Sequence, residues 1–219
     1  MRRAGGLLAV ASLVLLTGCT PAMVVSGGPK DRGEVALTFD VAYDVTYTAA
    51  FLDVLHQYQV PATIFMTGEW ADANPELTSR MATDGHLVAN HSYSHPDFTK
   101  LSDAEIVRQL AAAEAAISAR TNHSTKPYFR PPYGAQNARV NRLLGQEGYR
   151  YDVLWTVDSW GWRGLSFPQV VKRCLDRAGP GVIYMFHLGV PADLDALPWI
   201  IQWLRDNGYT MVRLDSWFT

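Results

Sequence analysis

From Glu34 onward, short apolar runs alternate with segments of helical spacing. Val35-Ala36-Leu37-Thr38-Phe39 is nearly continuous in apolar residues, the pattern of a strand buried on both faces. Between Val45 and Tyr58, Ala49, Leu52 and Leu55 recur at helical intervals. The alternation then repeats. Strands are predicted at Pro61–Met66, His86–Ala89, Pro127–Phe129, Tyr151–Trp155, Val182–Phe186 and Thr210–Val212. Helices are predicted at Pro75–Thr83, from a capping box at Ser102–Glu105 to Arg120, at Asn137–Glu147, at Phe167–Arg177 and at Leu194–Asp206. About seven strand–helix units without a long linker argue for an α/β fold with a parallel sheet covered by helices. Seven units in so short a span predict an irregular, closed or nearly closed (β/α)7-type barrel. Active sites of such barrels gather at the C-terminal ends of the strands.

The first residues carry a different pattern. Arg2 and Arg3 precede an apolar run from Leu7 to Leu16, too short to span a bilayer as a stable helix. It reads as the core of a signal peptide. Leu16-Thr17-Gly18-Cys19 resembles a bacterial lipoprotein signal, in which Cys19 becomes the lipidated residue. An ordinary cleaved signal with an incidental Cys is the other reading. The expected organisation is a lipoprotein signal peptide at 1–18, a Pro/Gly/Ser-containing tether at 19–33 and one domain at 34–219. The chain would be exported and held by its lipid on the outer face of the cytoplasmic membrane or in the cell envelope. The only other Cys, Cys174, then has no intramolecular partner and reads as a small core residue. A net charge of −2 with no basic stripe argues against nucleic acid. Seven Trp, several in apparent loops, hint at a surface that stacks on sugar rings, although any one Trp is more often core.

Polar residues fall at the strand ends. Asp40 follows the first strand, His91 and His95 the third, Arg130 the fourth, Asp158 the fifth and His187 the sixth. A barrel would bring them to one rim. His91 and His95, four apart and beside Asn90 and Pro96, can share a metal ion, a weak signal strengthened by this placement. Arg130-Pro131-Pro132-Tyr133-Gly134 is a stiff loop suited to presenting backbone N–H groups to an oxyanion, and its Arg to holding a carboxylate.

Taken together, these motifs resemble the NodB-type polysaccharide deacetylases, carbohydrate esterases that remove N-acetyl groups from polymers such as peptidoglycan and chitin. The resemblance covers Glu34 to Leu214. It rests on Thr38-Phe39-Asp40, Asn90-His91-Ser92-Tyr93-Ser94-His95, Phe129-Arg130-Pro131-Pro132-Tyr133-Gly134, Val157-Asp158-Ser159 with Trp162, and Met185-Phe186-His187. It implies the NodB barrel, a divalent metal of which zinc is the leading choice, and an N-acetylated polysaccharide as partner of a monomeric enzyme. His91 and His95 would bind the metal. Asp40 would be the general base, oriented by Arg130, and His187 the general acid. The Tyr133 N–H would stabilise the oxyanion and Trp162 would wall the site, with Trp70 and Trp160 as further stacking candidates.

Three positions depart from the family pattern. Where the family usually has Thr-Phe-Asp-Asp, with the second Asp a metal ligand, this chain has Val41. Asp44 is the nearest replacement and is expected to complete the metal set; capping the following helix is its other reading. An Asp-Trp pair whose Asp tunes the catalytic His is here Gly161-Trp162, with Asp158 expected to orient His187 or Arg130 instead. The Asp that usually follows the last His is here Leu188. Three functions stay open: a metal-dependent polysaccharide N-deacetylase, a catalytically impaired carbohydrate-binding relative, and an amide hydrolase acting on a small molecule.

Overall fold

The computed structural model describes residues 20–218. Cys19 and the signal-peptide residues lie outside them. Nine strands pair in parallel, each with a helix or loop returning the chain to the same end of the sheet. They are β1 (Met23–Val25), β2 (Glu34–Val41), β3 (Thr63–Met66), β4 (Leu87–Asn90), β5 (Tyr128–Phe129), β6 (Tyr151–Val153), β7 (Val157–Asp158), β8 (Ile183–His187) and β9 (Thr210–Met211). Their spatial order is β1-β6-β5-β4-β3-β2-β8-β7, with β9 pairing the start of β2. This is a curled α/β half-barrel, and its strand path is open between β1 and β7. Helices cover its outside: α1 (Thr48–Gln57), α2 (Gly68–Ala73), α3 (Pro75–Thr83), α4 (Asp103–Thr121), α5 (Ala138–Gln146), α6 (Phe167–Leu175) and α7 (Pro191–Asp206).

Strand β2 decides which side chains reach the interior. Val35, Leu37, Phe39 and Val41 pack into the helix-side core with Phe51, Leu52 and Leu55 of α1 and Ile200, Ile201 and Leu204 of α7. The intervening residues take the other face. Ala36 lies in the inner cluster with Phe65, Ala89 and Tyr128, and Thr38 and Asp40 continue that row toward the strand end. Register then sets Asp40 beside His187 of β8, Met66 beside Asn90, and Asn90 beside Phe129.

Several expectations need correction. Of the expected tether at 19–33, the described residues from Thr20 on pack largely against the domain. Met23–Val25 pairs with Tyr151–Val153, and Ala22 is buried against α5 and its neighbours. A three-residue edge strand among Gly, Ser and Pro carries too little pattern to stand out. The segment after it fills the seam of the sheet, where Gly28 N–H donates to the Gly181 carbonyl at 2.8 Å. Gly181 has φ +76° and stands so close to the Gly28 carbonyl that a Cβ would lie 2.4 Å from its oxygen, so only glycine fits. Helix α1 starts at Thr48, three residues later than predicted, and α2 went unpredicted. The capping box at Ser102 and Glu105 forms as expected. No helix among the described residues is long and apolar enough to cross a membrane.

Asp152 is a liability in this fold. It is fully buried on β6, and neither carboxylate oxygen has a partner. Burial pushes it up to about 7, against a smaller opposing pull from Arg130. An acid raised on folding leaves stability intact below its unfolded value, near 3.8, and removes it as pH rises through about 7. Asp152→Asn is therefore expected to be the more stable form at pH 8, by on the order of 2–4 kcal/mol. The advantage should vanish near pH 4, and urea denaturation at the two pH values checks it. An unchanged difference at both would mean that Asp152 does not titrate in this range.

Candidate active site

The rim residues converge on a cavity of about 550 Å³, within the range of small-ligand sites. Asp40, His91, His95, Tyr133, Asp158, Trp162 and His187 all line it, and Arg130 lies fully buried beneath it. Arg130 Nη1 donates to Asp40 Oδ1 at 2.7 Å and Nη2 to the Thr38 hydroxyl at 2.9 Å. Its Nε and Nη2 reach the carbonyls of Val153 and Leu154 at 3.1 and 3.2 Å. The guanidinium also lies 4.0 Å from the centre of the Phe65 ring. Burial alone would raise Asp40, but Arg130, His91 and His187 outweigh it and hold the carboxyl below its ordinary value. Asp40 is thus an ionised carboxylate with Oδ1 tied down and Oδ2 turned toward His91 Nε2, 3.8 Å away.

The two imidazoles face each other, with Nε2 atoms 3.2 Å apart. His91 Nδ1 lies 2.8 Å from the Arg130 carbonyl, which can only accept, so Nδ1 carries the proton and Nε2 presents a lone pair. His95 Nδ1 meets the Tyr43 hydroxyl at 3.1 Å. Burial lowers both rings, His95 to about 4 with help from His91, so both stay neutral, the form that binds metals. One ion bound to each nitrogen at about 2.0–2.1 Å is compatible with that separation. The pair therefore fits a divalent metal through two nitrogens.

The carboxylate expected to complete this set is elsewhere. Asp44 borders the cavity, but its Oδ1 accepts the Thr46 N–H at 2.8 Å and the side chain is solvated. The short polar side chain folds back on its own backbone, a turn that Asp favours, and holds the loop ahead of α1. Nor is it the helix cap, since Tyr47 occupies that position. Among the described residues, no cluster of three or more His, Cys, Asp or Glu is arranged around one metal position.

Asp158 also departs from expectation. Both its oxygens accept from the Trp162 indole at 3.2 Å, and Oδ1 accepts the Trp160 N–H at 3.0 Å. It braces the aromatic wall and hydrogen-bonds neither His187 nor Arg130. Trp162 is half exposed, its ring 6.1 Å from that of His187, where a sugar can lie against it. Trp70 is buried in the core and is no stacking residue, and Trp160 packs beneath Arg163 and Arg173. Tyr133 stands exposed at the rim with φ +62°, and the turn gives its N–H no acceptor, whereas Gly134 and Ala135 donate to Pro131 and Pro132. Ser92, His95 and Trp160 likewise have positive φ, so four of the six such non-glycine residues described cluster at this site. Backbone strain of this kind persists where the surroundings enforce a required geometry.

Two contributors escaped the sequence reading. Tyr43 reached no role there, yet its hydroxyl orients His95. Asp193, in the first turn of α7, accepts the His187 main-chain N–H at 3.0 Å and the Ser159 hydroxyl at 3.1 Å. An acidic residue in a helix's first turn is unremarkable in sequence. Only its complete burial sets it apart.

A half-barrel with an Arg-held carboxylate, a facing His pair and a further His at one rim defines a hydrolase-type site. The chain belongs to the polysaccharide deacetylase family, whose model matches residues 27–151. It is 33% identical over 195 residues to a peptidoglycan-N-acetylglucosamine deacetylase of Bacillus cereus, covering 87% of this chain and 72% of that one. The crystal structure of the Bc1960 peptidoglycan N-acetylglucosamine deacetylase superposes with a TM-score of 0.85 at 32% identity, over 89% of this chain and 92% of that one. BA3943, a CE4 family pseudoenzyme from Bacillus anthracis, superposes with a TM-score of 0.85 at 28% identity, over 91% of this chain and 70% of that one. A mutant of BA3943 has restored enzymatic activity.

Proposed function

We propose that this protein hydrolyses N-acetyl groups from an N-acetylglucosamine-containing polysaccharide, peptidoglycan or chitin-like, at the cell surface, with a divalent metal held by His91 and His95. The observation that carries the reading is the flanking of that imidazole pair by an ionised Asp40 and by His187 within one cavity. His91 and His95 would hold the divalent ion, zinc being the best match to two imidazoles, and it would supply polarisation of the acetamide carbonyl and acidification of water. Asp40 Oδ2 accepts a proton from the attacking water as its oxygen bonds to the acetyl carbon. Arg130 keeps Asp40 charged and fixed. The Tyr133 N–H is available to the developing oxyanion. His187 gives a proton to the sugar nitrogen as the carbon–nitrogen bond breaks, leaving acetate and a free amine. Trp162 and Tyr133 hold the sugar ring.

Export and a lipid anchor at Cys19 are supported by the sequence pattern, which would place the enzyme beside peptidoglycan. The exposed aromatic rim favours a polymer over a small amide. A second reading, a catalytically impaired binding relative, is favoured by Val41 and by the likeness to a pseudoenzyme. An acetate assay over peptidoglycan, chitin oligomers and monomeric N-acetylglucosamine, with bound metal measured in parallel, separates these. The proposal expects release from the polymers, bound metal lost in His91→Ala, and metal retained in Asp44→Ala. Saccharide binding without acetate release would establish the second reading. Release confined to the monomer would establish a small-molecule amide hydrolase.

A further inference from the structure

Asp193 is fully buried, and only one of its oxygens is used. Oδ2 accepts from His187 N–H and from Ser159, while Oδ1 has no partner. An idle buried carboxylate oxygen is costly and calls for an explanation. A second orphan supplies it. His187 opens on the cavity, but its Nδ1 is buried without a partner. Nδ1 is the ring nitrogen nearer the main chain, and the main-chain N–H of this residue already rests on Asp193. Gly161 gives a third, independent sign. A Cβ there would lie 2.2 Å from Asp193 Oδ1, so the carboxylate fills the space of a side chain at position 161.

We propose that Asp193 is the positioning residue of His187: it fastens the end of β8 through the main chain and accepts the Nδ1–H of the protonated ring, so that Nε2–H is the proton given to the leaving nitrogen. Other groups around His187 are otherwise engaged. Asp40 is held by Arg130, and Asp158 by the Trp162 indole.

The kinetic arm of the test rests on the deacetylase reading; the spectroscopic arm does not. Asp193→Asn keeps an acceptor for His187 N–H and Ser159 but loses the charge. It is expected to lower kcat about 10- to 100-fold with KM within about twofold. The His187 ring signals in NMR spectra are expected to titrate about one unit lower, the sign expected from losing a nearby negative charge. Asp193→Ala should fall further. Gly161→Asp added to Asp193→Ala returns a carboxylate from the opposite wall and should recover at least about tenfold in kcat and the original ring titration. Asp193→Asn with wild-type kcat and an unmoved His187 titration would overturn the assignment, as would a folded double variant that recovers neither. Absence of acetate release by the wild type would sink the deacetylase reading, while the ring titration still decides the role of Asp193.

Discussion

Asp40→Asn is expected to release acetate at least about a hundredfold more slowly than the parent, with substrate affinity little changed. Asn keeps an oxygen that can accept from Arg130, so the geometry survives. What it lacks is a basic oxygen, and general-base catalysis typically contributes 10²–10⁴-fold. No neighbour can substitute. His91 and His95 point their Nε2 atoms at each other, His187 is required as an acid, and Asp158 is bonded to Trp162. Steady-state kinetics with an N-acetylglucosamine oligomer measures the effect. A variant retaining more than about a tenth of the parent kcat would show that another group takes the proton.

Arg130→Met should be the most destabilising of the site substitutions, by about 3–5 kcal/mol. The guanidinium is fully buried, and it bridges β2 to the carbonyls at the end of β6 and just after it through four hydrogen bonds. Met can fill much of the volume, but it strands the Asp40 carboxylate in the interior without its counter-charge. Burying a charge unpaired costs far more than burying the matched pair. Hence Arg130→Met combined with Asp40→Leu should be more stable than Arg130→Met alone, although inactive. Urea denaturation of the two variants checks this. Equal stability would mean that the cost lies in lost packing against Phe65.

The sequence was informative where chemistry sits at strand ends. Asp40, His91, Arg130 and His187 each follow an apolar run, with His95 four residues beyond His91, and parallel pairing brings such positions to one rim with little dependence on detail. The aromatic wall was legible in part. Trp162 reaches the cavity, but Trp70 carries the same local composition and ends in the core, because tertiary packing decides which face of α2 turns inward. Asp44 was misplaced for a different reason. Between Val41 and Tyr47 the path of the loop depends on a side-chain-to-backbone bond that spacing does not encode. Met23–Val25 was overlooked because a three-residue strand is shorter than the window over which periodicity can be judged. Asp193 gave no local signal. Its relation to His187 and Gly161 exists only once α7 is packed against β8 and the loop after β7.

The most direct test of the deacetylase account is acetate release from peptidoglycan by the full-length protein loaded with zinc, before and after chelation. The account predicts release that disappears with the metal and returns when zinc is restored. Folded protein with zinc bound at His91 and His95 that liberates no acetate from peptidoglycan or from chitin oligomers would contradict it.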